Sequence, residues 1–226
     1  MTLIGQPITR REDPPLLTGQ GQYVDDVEPD GTLHAFIVRS PLAHARITGI
    51  DVTEAQEAPG VIAVYTAHDL ADQGVGLLPG AEGLPPGPLN PPHPVLARDK
   101  ALWAGQPIAV VIADSKERAA DAAELVVIDY DDLPAVTSPL DAAAGDAPRL
   151  HDGTDSNVAF RRRLTAGDAA KAFQEAEYTV RQRMTSQRLA PVAMEPRGVL
   201  AFPAGDGRLE IRLSTQRPHG AQQGLS

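Results

Sequence analysis

Apolar positions come in short runs along this chain, and their period changes from segment to segment. Residues 32–38 (TLHAFIV) and 46–52 (RITGIDV) carry the β-branched and aromatic content of strands, with residues 39–45 (RSPLAHA) as the loop between them. Residues 61–66 (VIAVYT) predict a third strand, and residues 106–113 (QPIAVVIA) a buried fourth. Thr53 is a candidate N-cap for a short helix that must end before Pro59-Gly60. Asp114 and Ser115 are expected to cap a helix through KERAADAAELV (116–126), which sets Ala119, Ala123 and Val126 on one face. Such an alanine-rich helix packs closely on a sheet. Residues 126–136 (VVIDYDDLPAV) then return as a strand that ends at Pro134.

The remaining segments carry weaker signals. Residues 1–22 are expected to run as an extended arm, because Pro14 and Pro15 oppose a regular helix after Arg10, Arg11, Glu12 and Asp13. Residues 74–95 are dominated by proline and glycine, which predicts a long surface excursion. Residues 137–157 read as an irregular link. Residues 165–178 predict a short helix with Asp168 near its start, and residues 178–190, 197–203 and 209–215 predict three strands. No internal repeat is present. The expected class is α+β, divided into an arm (1–15), an α+β domain (16–136) and the opening of a second domain (137–226). Three strands and one short helix bury little apolar surface, so residues 137–226 are expected to fold poorly by themselves.

Composition narrows the classes. Hydrophobic residues make up 42% of the 226-residue chain, enough for a packed core, but aromatics only 4%, so that core must be aliphatic. A formal charge of −10 opposes a nucleic-acid surface, since a phosphate backbone would be repelled. The longest apolar runs are far shorter than a membrane span. The N-terminal residues contain no apolar core of a secretory signal, so a cytoplasmic location is expected. With no cysteine, the chain can form no disulfide, thiolate nucleophile, cysteine-ligated zinc site or iron–sulfur cluster of its own.

Local motifs are few. GQGQYVDD (19–26) lacks the third glycine and the following helix of a dinucleotide fingerprint. Asp25, Asp26 and Glu28 lack the spacing of a calcium loop and read as a solvated turn. His34, His44, His68, His93, His151 and His219 are too far apart in sequence for a local metal pair. Glu195 could act as a general base, although pairing with Arg188 or Arg197 is the simpler expectation. The strand LEIRLST (209–215) delivers Gln216, Arg217, Pro218 and His219 at its end.

Six stretches resemble one family in order: RREDPPLLTGQGQYVDD, RSPLAHARITGID, APGVIAVYTAHDL, GQPIAVVIADSKERAADAAELVVIDYDDLPAV, QRLAPVAMEPRG and STQRPHG. The order is that of molybdenum hydroxylase large subunits: xanthine dehydrogenase, aldehyde oxidoreductase and aerobic carbon monoxide dehydrogenase, with the last type the nearest in appearance. The resemblance implies a hammerhead-like domain at 16–136, followed by the truncated start of a molybdenum-cofactor-binding α/β domain at 137–226. It implies a molybdenum–molybdopterin cofactor, with Gln216 matching the glutamine that hydrogen-bonds an oxo ligand of the molybdenum. An amide N–H stabilises such an oxygen without adding charge. No catalytic residue and no metal ligand is assigned within the chain.

The resemblance further implies an iron–sulfur small subunit and an FAD-binding medium subunit as partners, carrying electrons away from carbon monoxide, an aldehyde or a heteroaromatic substrate. Large subunits of the family run to several hundred residues, so this chain is expected to be an N-terminal portion. It would be inactive without the remainder, which holds the glycine-rich segment and the catalytic glutamate. The alternative expectation is a non-catalytic module that binds partner subunits or an assembly factor.

Overall fold

The computed structural model describes residues 4–78, 91, 93–161 and 163–225. They form two compact units, one of residues 31–176 and one of residues 1–30 together with 177–226. Residues 137–176 cluster with the strands that precede them.

The 31–176 unit contains two three-stranded antiparallel sheets. In the first, the central strand β5 (Pro107–Ala113) pairs with β1 (His34–Arg39) on one side and β3 (Val61–Thr66) on the other. In the second, β2 (Ala45–Asp51) lies between the two-residue β4 (Lys100–Ala101) and β6 (Val127–Asp132). The helix α4 (Lys116–Ala123) thus connects strands of different sheets, since β5 belongs to one and β6 to the other.

The register explains the core. Val111 sits opposite Phe36 on one side and Val64 on the other. Val111 and Val64 meet Ala122 and Ala123 of α4 and Ala55 of the short helix α2 (Thr53–Glu57), with Val38, Val52, Val61 and Val126 around them. Alanine on α4 lets its backbone come close to the sheet, so an aliphatic core closes without aromatic bulk. Ser115 caps α4 as expected, its Oγ accepting the Arg118 amide at 3.2 Å, while Arg118 pairs with Asp114. Thr53, by contrast, is the first residue of α2 and not its cap: its amide donates to Asp51 Oδ1 at 2.9 Å. The cap position is Val52, which has no side-chain oxygen to offer, and the Asp51 carboxylate meets the first helical amide from one residue further upstream.

Two further helices were not anticipated. The helix α3 (Ala67–Asp72) follows β3 directly, with Asp69 accepting both the amide and the hydroxyl of Thr66 at 2.7 Å. These bonds hold the Asp69 carboxyl below the usual carboxylate range. The one-turn α5 (Pro139–Ala142) opens the link after β6. That link is organised by Asn157, whose amide donates to Pro148 O at 2.8 Å and accepts the Leu150 amide at 3.1 Å. The helix α6 (Ala169–Glu175) forms inside the expected 165–178 segment, with Asp168 accepting the Lys171 amide at 2.9 Å. Most of the Pro/Gly-rich 74–95 segment lies outside the described residues, but Leu78 and His93 pair at its base through two backbone hydrogen bonds.

The other unit holds one hairpin, β7 (Val199–Pro203) with β8 (Leu209–Leu213). Contrary to expectation, the arm is not wholly extended: α1 (Asp13–Leu17) begins with both prolines in its first turn. Proline is tolerated there, because the N–H it lacks would have no intrahelical partner anyway. A 3₁₀ turn follows at Val24–Asp26, with the Tyr23 amide donating to Asp26 Oδ2 at 2.8 Å, so Asp26 serves the turn. The expected strand at 178–190 is a second correction. Its residues form no ladder among the described residues, and Tyr178, Val180, Met184 and Leu189 are 79–87% exposed. Alternation supplies a strand with a face but not with a neighbour, and the ladder needs both. After β8 the chain enters α7 (Pro218–Leu225), a helix that the sequence pattern did not predict.

Candidate functional site

Gln216 occupies the bend between β8 and α7. The β7–β8 register carries the approach: Val199 faces Leu213 at the open end of the hairpin, and one step further Ser214 leaves β8 beside Gly198. The Ser214 amide donates to Gly198 O at 3.2 Å, the Gly198 amide donates to Ser214 Oγ at 3.1 Å, and Ser214 Oγ–H donates to Pro196 O at 3.1 Å. Thr215 Oγ1 accepts the Arg217 amide at 3.0 Å, closing a tight turn around Gln216. The Arg217 carbonyl then accepts the Ala221 amide at 2.9 Å, the first bond of α7, and Pro218 sits at the first helical position.

Gln216 is exposed, and its side-chain amide makes no hydrogen bond among the described residues. Hydrogen bonds on either side hold the backbone of the turn, and the Gln216 amide is left available as a donor. Such a group suits an oxygen-bearing ligand that needs a hydrogen bond without a compensating cation.

Glu195 immediately precedes Pro196, the residue whose carbonyl Ser214 binds. Its Oε1 accepts the Val24 amide at 3.3 Å, in place of the arginine pairing expected. Val24 also packs on Gly198: a Cβ there would lie 3.2 Å from the Val24 side chain. The Glu195 carboxylate therefore anchors the 3₁₀ turn of the arm to the segment that Ser214 holds from its other side.

The structure brings together two histidines that lie 58 positions apart. The rings of His93 and His151 have centroids 6.0 Å apart, and His93 meets Trp103 edge-on at 6.4 Å. Beside them Lys100 Nζ pairs with Asp152 at 2.8 Å. Burial, His93 and Lys100 hold the His151 imidazole below the ordinary histidine range, with Asp152 opposing them. Nothing in the local sequence announces this pair, because the β4 turn and the 137–157 link create it. His44 is buried, its Nδ1 within 2.8 Å of Pro134 O. Among the described residues no group of three or more His, Cys, Asp or Glu side chains could hold a metal ion. No helix of the described residues is long and apolar enough to cross a membrane.

Comparison with known proteins gives these features a family. Residues 18–134 match the a/b hammerhead domain of aldehyde oxidase and xanthine dehydrogenase, and residues 150–226 match a molybdopterin cofactor-binding domain. The chain belongs to the aldehyde oxidase and xanthine dehydrogenase family, and its fold is the hammerhead domain followed by the start of the cofactor-binding domain. It is similar to the nicotine 6-hydroxylase large subunit of Paenarthrobacter nicotinovorans, 39% identical over 99% of this chain and 27% of that protein. It is also similar to the carbon monoxide dehydrogenase large chain of Hydrogenophaga pseudoflava, 38% identical over 92% of this chain and 27% of that one. Among solved structures, quinoline 2-oxidoreductase from Pseudomonas putida 86 superposes with a TM-score of 0.80 at 36% identity, over 94% of this chain and 27% of its own. The chain thus spans about a quarter of the length of these relatives. They are large subunits of oxidoreductases, which does not favour a stand-alone interaction module.

Proposed function

We propose that this chain is the N-terminal portion of a molybdenum-dependent hydroxylase or dehydrogenase large subunit, and that Gln216 is its contribution to the cofactor site. The observation that carries the reading is the free, exposed Gln216 amide on a hydrogen-bonded turn, inside the stretch that matches a molybdopterin cofactor-binding domain. In this reading residues 16–136 are the hammerhead domain and residues 137–226 open the cofactor-binding domain. The molybdenum–molybdopterin cofactor, when bound, supplies the two-electron oxidation. The role of this chain is narrower. The Gln216 amide donates a hydrogen bond and holds an oxygen in a fixed direction, adding no charge that would alter the redox balance of the site.

The proposed partners are an iron–sulfur small subunit and an FAD-binding medium subunit, in the cytoplasm; this 226-residue sequence, having no cysteine, has no thiolate with which to ligate a cluster itself. The substrate class comprises carbon monoxide, aldehydes and heteroaromatic rings; relatives named for nicotine and carbon monoxide both support this range. The test is reconstitution with the partner subunits and the remaining large-subunit polypeptide, followed by molybdenum analysis and turnover. Gln216→Ala is expected to lower turnover by about 10- to 100-fold, with assembly intact. Unchanged turnover in a fully assembled, molybdenum-loaded complex would remove Gln216 from the site.

A further inference from the structure

We propose that Ser214 is the positioning residue for Gln216, acting through the turn that carries it. The inference rests on the reading of Gln216 given above, but its structural half stands separately. Ser214 is the last point at which the chain is tied to the hairpin before Gln216. Its amide and hydroxyl make three hydrogen bonds to one short segment: to Gly198 O at 3.2 Å, from the Gly198 amide at 3.1 Å and to Pro196 O at 3.1 Å. The hydroxyl therefore acts as donor and acceptor at once: it takes the Gly198 amide, while the Ser214 amide keeps its backbone bond to Gly198 O.

The segment it grips is itself held from behind. The Glu195 carboxylate binds the Val24 amide at 3.3 Å, and Val24 packs on Gly198. A second hydroxyl completes the frame: Thr215 Oγ1 takes the Arg217 amide at 3.0 Å and closes the turn on the far side of Gln216. Gln216 makes no hydrogen bond of its own among the described residues, so what these neighbours hold is the backbone from which its side chain projects. Position matters here, because a donor displaced by an ångström loses much of its effect on a bound group.

The experiment uses the 226-residue chain and measures backbone ¹⁵N relaxation at residues 214–217 and hydrogen exchange of the Arg217 amide. Ser214→Ala is expected to lower the order parameter at Gln216 from the rigid range to below about 0.6. Exchange at Arg217 should rise about 3- to 10-fold, the loss expected for one or two modest hydrogen bonds. Ser214→Thr, which keeps the hydroxyl, should restore both. The amides of the β7–β8 ladder must stay protected, which separates loosening of the turn from loss of the hairpin. Thr215→Ala is the second variant: it opens the turn without touching the hairpin and should mobilise Gln216 in the same direction.

In the molybdenum-loaded complex, Ser214→Ala should then lower kcat with KM unchanged, by less than Gln216→Ala does. If Ser214→Ala leaves Gln216 and Arg217 as ordered as before, the inference is overturned. If it loosens the turn while Gln216→Ala has no effect on turnover, the positioning is upheld and the cofactor role of Gln216 fails.

Discussion

The two compact units contain the same kinds of segment, short apolar strands joined by turns, yet they package them in opposite ways. In the 31–176 unit Ile108, Ala109, Val111 and Ala113 are fully buried, and β5 has a strand on each side and a helix on one face. In the other unit no described residue is fully buried, and Leu189, Val192 and Met194 are 79–88% exposed. Both regions carry apolar residues at strand spacing. The difference lies in neighbours: a strand contributes to stability only when a second strand pairs with its edge and a layer covers its face. The first unit is a packed core, and the second carries the turn with Gln216. Val192, with φ of 40°, holds a β-branched side chain in the left-handed region, which belongs to the open unit as well.

The contrast can be broken or sharpened by substitution. Ile108→Ala should cost the most, about 2–5 kcal/mol, because a fully buried side chain leaves a cavity in a core that cannot collapse around it. Leu189→Ala in the open unit should change stability by less than about 0.5 kcal/mol. A denaturant midpoint series that found the two equal would erase the distinction drawn here. Gly60→Ala comes next, at about 1–3 kcal/mol: Gly60 has φ of +80° and an added Cβ would meet Arg118 and Asp114 at 2.5 Å. Removing the cap of α4 with Ser115→Ala should cost about 1 kcal/mol, visible as a lowered thermal midpoint.

The smallest effect concerns pH. The pKa of His151 is lowered on folding, so the unfolded chain binds its proton more readily. The contribution of this neutral imidazole is complete above the ordinary histidine value and is lost as the pH falls below it. Acidification should therefore loosen the 149–157 link slightly. An NMR titration of His151 should give a midpoint below the ordinary value, moving upward in His93→Phe as the neighbouring imidazole is removed. A midpoint at or above the ordinary value would contradict the packing described for this pair.

Much of the scaffold was legible in the sequence. VIAVYT and QPIAVVIA announced β3 and β5, and the alanines of KERAADAA announced a helix lying close on the sheet, because periodicity reports which face is covered. Residues 178–190 carried a similar alternation and formed no strand, since the pattern cannot name the edge that will pair with it. Pro14 and Pro15 misled for a different reason: a rule that holds for helix interiors does not hold for the first turn. At the site, the order of family motifs drew attention to Gln216, but the free amide, the Thr215 turn and the helix that follows came from the structure.

By itself, then, the sequence determined the aliphatic character of the core, the absence of thiol chemistry and the ordered motifs of the hammerhead and cofactor-binding domains. These properties depend on residue identity and local spacing. Only the tertiary structure decided that β5 and β6 enter different sheets, that His93 meets His151, and that Ser214 grips Gly198 and Pro196 to frame Gln216. Each of these joins positions far apart along the chain, and such contacts are selected by the packing of the whole fold, where no local pattern carries the information.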